Sequence, residues 1–82
     1  MYYVYLITTK IKNRTISYVG YTNDVNKRLK LHNNSKGAKF TRGRKWKLIY
    51  YEEFSEKKQA IRRECYIKSN RRIRNLIKNL YK

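Results

Sequence analysis

The 82-residue chain carries 22 Lys and Arg against 5 Asp and Glu, a net charge of +17, with one His, one Cys, no Pro and nine Tyr. A lone Cys65 with no His/Cys cluster excludes a disulfide framework and a structural zinc site, and no apolar run approaches the ~18 residues of a membrane span. A chain this short buries only roughly 60–65% of its unfolded surface, and self-repulsion thins that margin, so a polyanion is expected to neutralise it; nucleic acid leads over an anionic membrane or an acidic protein.

The N-terminal stretch MYYVYLITTKIK has no basic region ahead of its apolar part and no small-residue cleavage site. That predicts a soluble protein of a reducing cytoplasm, nucleoid-associated in a prokaryote. Tyr2–Thr8 is β-branched, aromatic and apolar, Thr15–Tyr21 repeats that character, and the polar Lys10–Arg14 between them can turn, so a β-hairpin is expected. Gly20 inside the second strand costs stability unless something must approach the backbone closely there. Thr22-Asn23 offers an N-cap and Asp24 suits the first turn, predicting a helix from Asp24 to about Asn33. On a wheel of about 100° per residue, Arg28, Leu29 and His32 fall within roughly 60° of Val25, so Arg28 and His32 point towards the sheet.

Asn34–Lys45 carries five cations, Lys36, Lys39, Arg42, Arg44 and Lys45, around Phe40 and reads as a long basic loop. Cations interleaved with an aromatic suit phosphate contacts plus base stacking. Trp46–Phe54 reads as a third strand. Ser55 can cap a second helix to about Lys68, in which Glu64 lies within roughly 40° of Ala60, inside an apolar arc shared with Ile67. Cys65, at the border of that arc, is expected as a small buried hydrophobe. Asn70–Lys82 places Ile73, Leu76, Ile77, Leu80 and Tyr81 at helical spacing among basic residues. It is expected to complete the core and to add DNA contacts through its cations.

Hydrolysis of a phosphodiester needs a deprotonated water, a cation for the charge growing on phosphorus and help for the leaving oxygen. Mg²⁺ often takes one or two protein carboxylates and completes its shell with water and phosphate, so Glu64 alone suffices as a ligand. Arg28 offers a planar fork for two non-bridging oxygens. Tyr5 and Tyr18 could face each other across the hairpin, where a cation cluster and a metal would favour a phenolate able to act as general base.

Tyr3-Val4-Tyr5 followed by Tyr18-Val19-Gly20, with Arg28 and His32 on the next helix and Glu64 on a later one, resembles the GIY-YIG nuclease superfamily. YVGYTNDVNKRLKLHN, GAKFTRGR, WKLIYYEEF and AIRRECYIK together resemble the small stand-alone bacterial members and the catalytic domains of eukaryotic nucleases that cut branched DNA. The resemblance implies an α/β chain of the α+β type: a three-stranded antiparallel sheet flanked by about three helices, with residues 1–82 forming a single catalytic domain. It implies a Mg²⁺- or Mn²⁺-dependent endonuclease acting on DNA in repair or recombination. In it Glu64 is the metal ligand, Arg28 the phosphate clamp, His32 a hydrogen-bonding or proton-transfer aid, and Tyr5 and Tyr18 the tyrosines from which the base is drawn. Gly20 would admit substrate or a side chain. An asparagine following the glutamate is common in the family; Asn75 and Asn79 both qualify, and neither is assigned. Little sequence specificity is expected, structure selectivity and a targeting protein subunit are further expectations, and no membrane partner is expected. Against this stand a plain Glu64–Lys68 helix pair, a non-catalytic nucleic-acid-binding module with the same fold, and a small basic protein of the ribosome or nucleoid.

Overall fold

Lys12 and Asn13 both adopt positive φ, 49° and 68°, the pair of left-handed conformations of a two-residue type I′ turn, whose twist matches that of the strands it joins. The hairpin therefore zips further than the apolar pattern alone indicates, giving β1 (Tyr2–Ile11) and β2 (Arg14–Thr22). The structure, a computed structural model, describes residues 1–81 and adds α1 (Val25–Asn33), a 3₁₀ turn at Lys39–Thr41, β3 (Lys47–Phe54), α2 (Lys57–Lys68) and α3 (Arg71–Tyr81). The sheet order is β2-β1-β3, with β1 antiparallel to both neighbours. Three antiparallel strands and three helices make the expected α+β fold. Opposite Leu6 and Ile7 of β1 lie Tyr50 and Leu48, so Ile49 is the extra residue of a β-bulge.

As the central strand, β1 is covered on both sides, which is why Val4, Tyr5, Leu6 and Ile7 are all buried in succession. Val4 and Leu6 face Val19, Ala60, Ile67 and Ile77, so α2 and α3 cover that side. Tyr5 and Ile7 face Trp46, with Tyr18, Val25 and Leu29 packed around them, so α1 and the basic loop cover the other. A fork from Arg63 to Glu52, at 2.9 and 3.0 Å, pins α2 to β3, and the Tyr50 hydroxyl donates to the same carboxylate at 2.6 Å. Burial raises the Glu52 carboxyl, but hydrogen bonds from Arg63 and Tyr50 outweigh it and hold the group below its ordinary value.

Several expectations are corrected. Asp24 is itself the α1 N-cap, accepting from the Lys27 N–H at 3.0 Å, because only its side chain reaches back over the first turn. Glu56 rather than Ser55 caps α2, with Gln59 reaching back to the Glu56 N–H at 3.2 Å. Cys65 is exposed, because α2 docks through the narrow Ala60–Ile67 line and leaves the border of its apolar arc in solvent. Of the five apolar residues of α3 only Ile77 is buried. The helix docks along Ile73 and Ile77, with Tyr81 against Tyr50, while Leu76 and Leu80 remain exposed. No helix among the described residues is long and apolar enough to cross a membrane.

Candidate active site

Register builds the floor of the site. Tyr5 lies directly opposite Gly20, and Ile7 opposite Tyr18, so Tyr5 and Tyr18 share a face diagonally rather than facing each other as expected. A Cβ on Gly20 would stand 2.4 Å from Tyr5 Oη and 2.7 Å from its Cζ. The space a side chain would fill is occupied by the Tyr5 ring, so it is a side chain that exploits this glycine.

Helix α1 supplies the wall. Arg28 and His32, one turn apart on the same face, both turn inward. His32 is wholly buried, its Nε2 lying 2.7 Å from Tyr5 Oη and its Nδ1 2.8 Å from Thr41 Oγ1. The Thr41 hydroxyl donates to the Ala38 carbonyl at 2.8 Å, and the Trp46 indole N–H donates to the Thr41 carbonyl at 2.9 Å. Gly37 completes the seat, since a Cβ there would come within 2.5 Å of His32 Nδ1. The loop end is tied to α1 by the Asn33 amide, which donates to the Trp46 carbonyl at 3.1 Å and accepts from its N–H at 2.5 Å.

Tyr5, Tyr18, Gly20, Tyr21, Thr22, Arg28 and Glu64 line one open cleft of about 310 Å³. Glu64 reaches it from α2, with its side chain 14% exposed and Oε2 3.6 Å from Lys68 Nζ. The helix pair is thus real, and Lys68 also lies 5.6 Å over the Tyr18 ring, so the pair sits at the cleft rather than away from it. Among the described residues the buried Arg28 Nε has no acceptor, a donor left for an anion. Among the described residues no group of three His, Cys, Asp or Glu side chains could cage a metal. A single carboxylate in an open cleft still suits a hard divalent cation that keeps its waters and takes phosphate oxygens, so the donor set fits Mg²⁺ or Mn²⁺ and not a caged Zn²⁺.

Burial pushes the Tyr5 phenol up to about 12, and the Arg28 guanidinium beside it only partly offsets this, while Tyr18 and Glu64 push it higher. Without a metal, the Arg28 cation by itself therefore does not make Tyr5 a phenolate; desolvation wins. Burial and then Arg28 lower His32 below its ordinary 6.5, leaving a neutral imidazole at neutral pH.

Phe40, 51% exposed, stacks on Tyr18 at 6.2 Å and 20°, with the Arg44 guanidinium 5.2 Å over its ring. Lys36, Lys39 and Arg42 are exposed on the same loop. Lys45 instead borders a separate depression with Lys10 and Lys47. Asn75 and Asn79 line another, with Thr15 and Lys78, away from the Glu64 cleft. Sequence reading missed Thr41 and Gly37 as the seat of His32, because a loop threonine and glycine carry no periodic signal. It missed Lys68 over Tyr18 because that contact joins two elements distant in sequence.

Comparison with known proteins places this sequence among relatives. A family model described as the GIY-YIG catalytic domain matches residues 1–78. A UPF0213 protein of Clostridium perfringens is 51% identical over 69 residues, covering 83% of this chain and 71% of that protein. The UPF0213 protein YazA of Bacillus subtilis is 52% identical over 52 residues, 62% of this chain, which spans only 52% of YazA's length. A UPF0213 protein of Staphylococcus haemolyticus is 45% identical over 69 residues, 83% of this chain and 80% of its own. No solved structure matches.

Proposed function

Because the chain belongs to the GIY-YIG nuclease family, we propose that it is a divalent-metal-dependent DNA endonuclease of low sequence specificity, selective for DNA structure and serving repair or recombination. The observation that carries this reading is the convergence of Glu64, Arg28, Tyr5 and Tyr18 on one cleft. Those residue types supply a metal ligand, a phosphate clamp and a proton path, which a mere binding module has no need to assemble. Glu64 would hold Mg²⁺ or Mn²⁺, and when bound the ion would neutralise charge on the phosphate and lower the pKa of water. Arg28 binds non-bridging oxygens through its guanidinium, whose Nε has no acceptor among the described residues.

A neutral tyrosine can act as base only if its own proton has somewhere to go. Tyr5 has a neutral imidazole 2.7 Å away, whereas the Tyr18 hydroxyl has no protein partner among the described residues. The water proton passes to Tyr5 Oη as the Tyr5 proton passes to His32 Nε2. The hydroxide adds to phosphorus, the P–O bond to the leaving deoxyribose oxygen breaks, and that oxygen is protonated from solvent. No free phenolate forms, which suits a phenol whose pKa is pushed up to about 12. Exposed Lys36, Lys39 and Arg42 hold backbone phosphate and Phe40 offers a face to a base, features common to every nucleotide, which accounts for low sequence specificity.

Cleavage of branched, flapped, duplex and single-stranded DNA with and without Mg²⁺ tests the reading. Wild type should cut in metal, Tyr5→Phe should lose about 10²–10⁴ in kcat, and Tyr18→Phe should lose less. The reverse ranking moves the base to Tyr18. Failure to cut any DNA in Mg²⁺ or Mn²⁺ leaves a binding module.

A further inference from the structure

A histidine can take the Tyr5 proton only if its Nε2 carries a lone pair, and an isolated neutral imidazole has no fixed preference for holding its hydrogen on the other nitrogen. We propose that Thr41 is a positioning residue that fixes His32 as the Nδ1–H tautomer; the inference rests on the proton path above and names what keeps it open.

Hydrogens are few enough here to be placed one by one. A carbonyl oxygen has none, so the 2.8 Å contact between Thr41 Oγ1 and the Ala38 carbonyl requires the single hydroxyl hydrogen of Thr41. Thr41 Oγ1 can then only accept at its other contact, 2.8 Å from His32 Nδ1, so the imidazole hydrogen must lie on Nδ1. In a neutral ring Nε2 is thereby bare, and the Tyr5 hydroxyl, 2.7 Å away, must donate to it. Every link in the chain from Tyr5 through His32 and Thr41 to Ala38 has one direction.

The seat is rigid. Thr41 and His32 are both 0% exposed, so water does not compete for either nitrogen. Thr41 is held at its own carbonyl by the Trp46 indole and at its N–H by the Ala38 carbonyl, 3.0 Å away. Gly37 lies against Nδ1 too closely for any side chain to replace the threonine as partner. Ala38, Thr41 and Gly37 all belong to the basic loop, so the segment carrying the phosphate-binding cations also sets the proton acceptor of the cleft.

His32 is the only histidine of the chain, so untagged protein gives one imidazole in a long-range ¹H–¹⁵N spectrum. At neutral pH, Nδ1 should resonate as a protonated nitrogen and Nε2 as a bare one. Thr41→Val, which keeps the shape and removes the acceptor, should move the hydrogen towards Nε2 and lower kcat about tenfold or more, part of the ~10²–10⁴ a positioned proton-transfer group supplies. KM should change by less than about twofold, since the substrate-binding residues are untouched. Thr41→Ser, which restores the hydroxyl, should recover both spectrum and rate. Protonated Nε2 in wild type overturns the proposal even where Thr41→Val does not fold. So does an unchanged tautomer or an undiminished kcat in folded Thr41→Val. Should wild type cut no DNA, the nuclease reading fails, and the spectrum alone decides the tautomer.

Discussion

Gly20→Ala is the sharpest probe of how the site is packed. The added methyl would lie 2.4 Å from Tyr5 Oη and 2.7 Å from Cζ, and the ring cannot yield freely because Tyr5 is 2% exposed. Forcing a methyl into a filled site costs about 1–3 kcal/mol. Displacing the ring also breaks the 2.7 Å bond to His32, leaving a buried polar atom unpaired at about 1–3 kcal/mol more. Together these make about 2–6 kcal/mol, against roughly 4–12 kcal/mol of total stability for a chain this size. At about 4–8 °C per kcal/mol, the midpoint of a circular-dichroism melt should fall by roughly 10 °C or more. Tyr5→Phe removes the nearest clashing atom, so the double variant Tyr5→Phe/Gly20→Ala should lose less than the sum of the two single losses. A Gly20→Ala protein melting within about 2 °C of wild type, or strict additivity in the cycle, would refute the packing argument.

Folding holds His32 below its ordinary 6.5, so the unfolded chain binds its proton first and the associated stability is full above about 6.5 and lost as pH falls below it. Melting temperature should therefore drop between about pH 7.5 and pH 5.5 in wild type and much less in His32→Gln; Glu52, whose ordinary value is 4.5, enters only at lower pH. DNA affinity should fall steeply with salt. Replacing Lys36, Lys39, Arg42, Arg44 and Lys45 by Ala should flatten the log–log slope by about 0.9 for each duplex phosphate no longer neutralised, and an unchanged slope would remove the loop from the footprint. Phe40→Ala should weaken binding of DNA with an unpaired base by about 1–3 kcal/mol in a titration while sparing intact duplex; equal losses on both would argue against stacking.

Local periodicity explains why much of the cleft is legible in the sequence. Val25 and Leu29 orient α1, so Arg28 and His32 had to face the sheet, and Ala60 with Ile67 orients α2, so Glu64 had to face inward. What periodicity does not carry is register across elements. The pairing of Tyr5 with Gly20, rather than with Tyr18, depends on the length of a hairpin whose turn is set by two left-handed residues. The exposure of Cys65 and Leu80 depends on how narrow a stripe each helix offers to a three-stranded sheet. Thr22, Asn23 and Asp24 can all cap a helix, so the pattern starts α1 at Asp24, one residue before its observed start at Val25. Thr41 gave no sign at all, because its meaning lies in a hydrogen bond to a histidine nine residues earlier.

Whether Glu64 holds the metal of a nuclease is decided by cleavage of branched and single-stranded DNA by wild type and Glu64→Gln, with Mg²⁺ and with chelator. The substitution removes the carboxylate of the cleft and a partly exposed ion pair with Lys68 at 3.6 Å, a pairing worth only about 0.2–0.5 kcal/mol. The variant should therefore remain folded and bind DNA at least as tightly. Wild type should cut in Mg²⁺ and stop in chelator, and Glu64→Gln should be inactive in both. A folded, DNA-bound Glu64→Gln protein that cuts as fast as wild type would contradict the account.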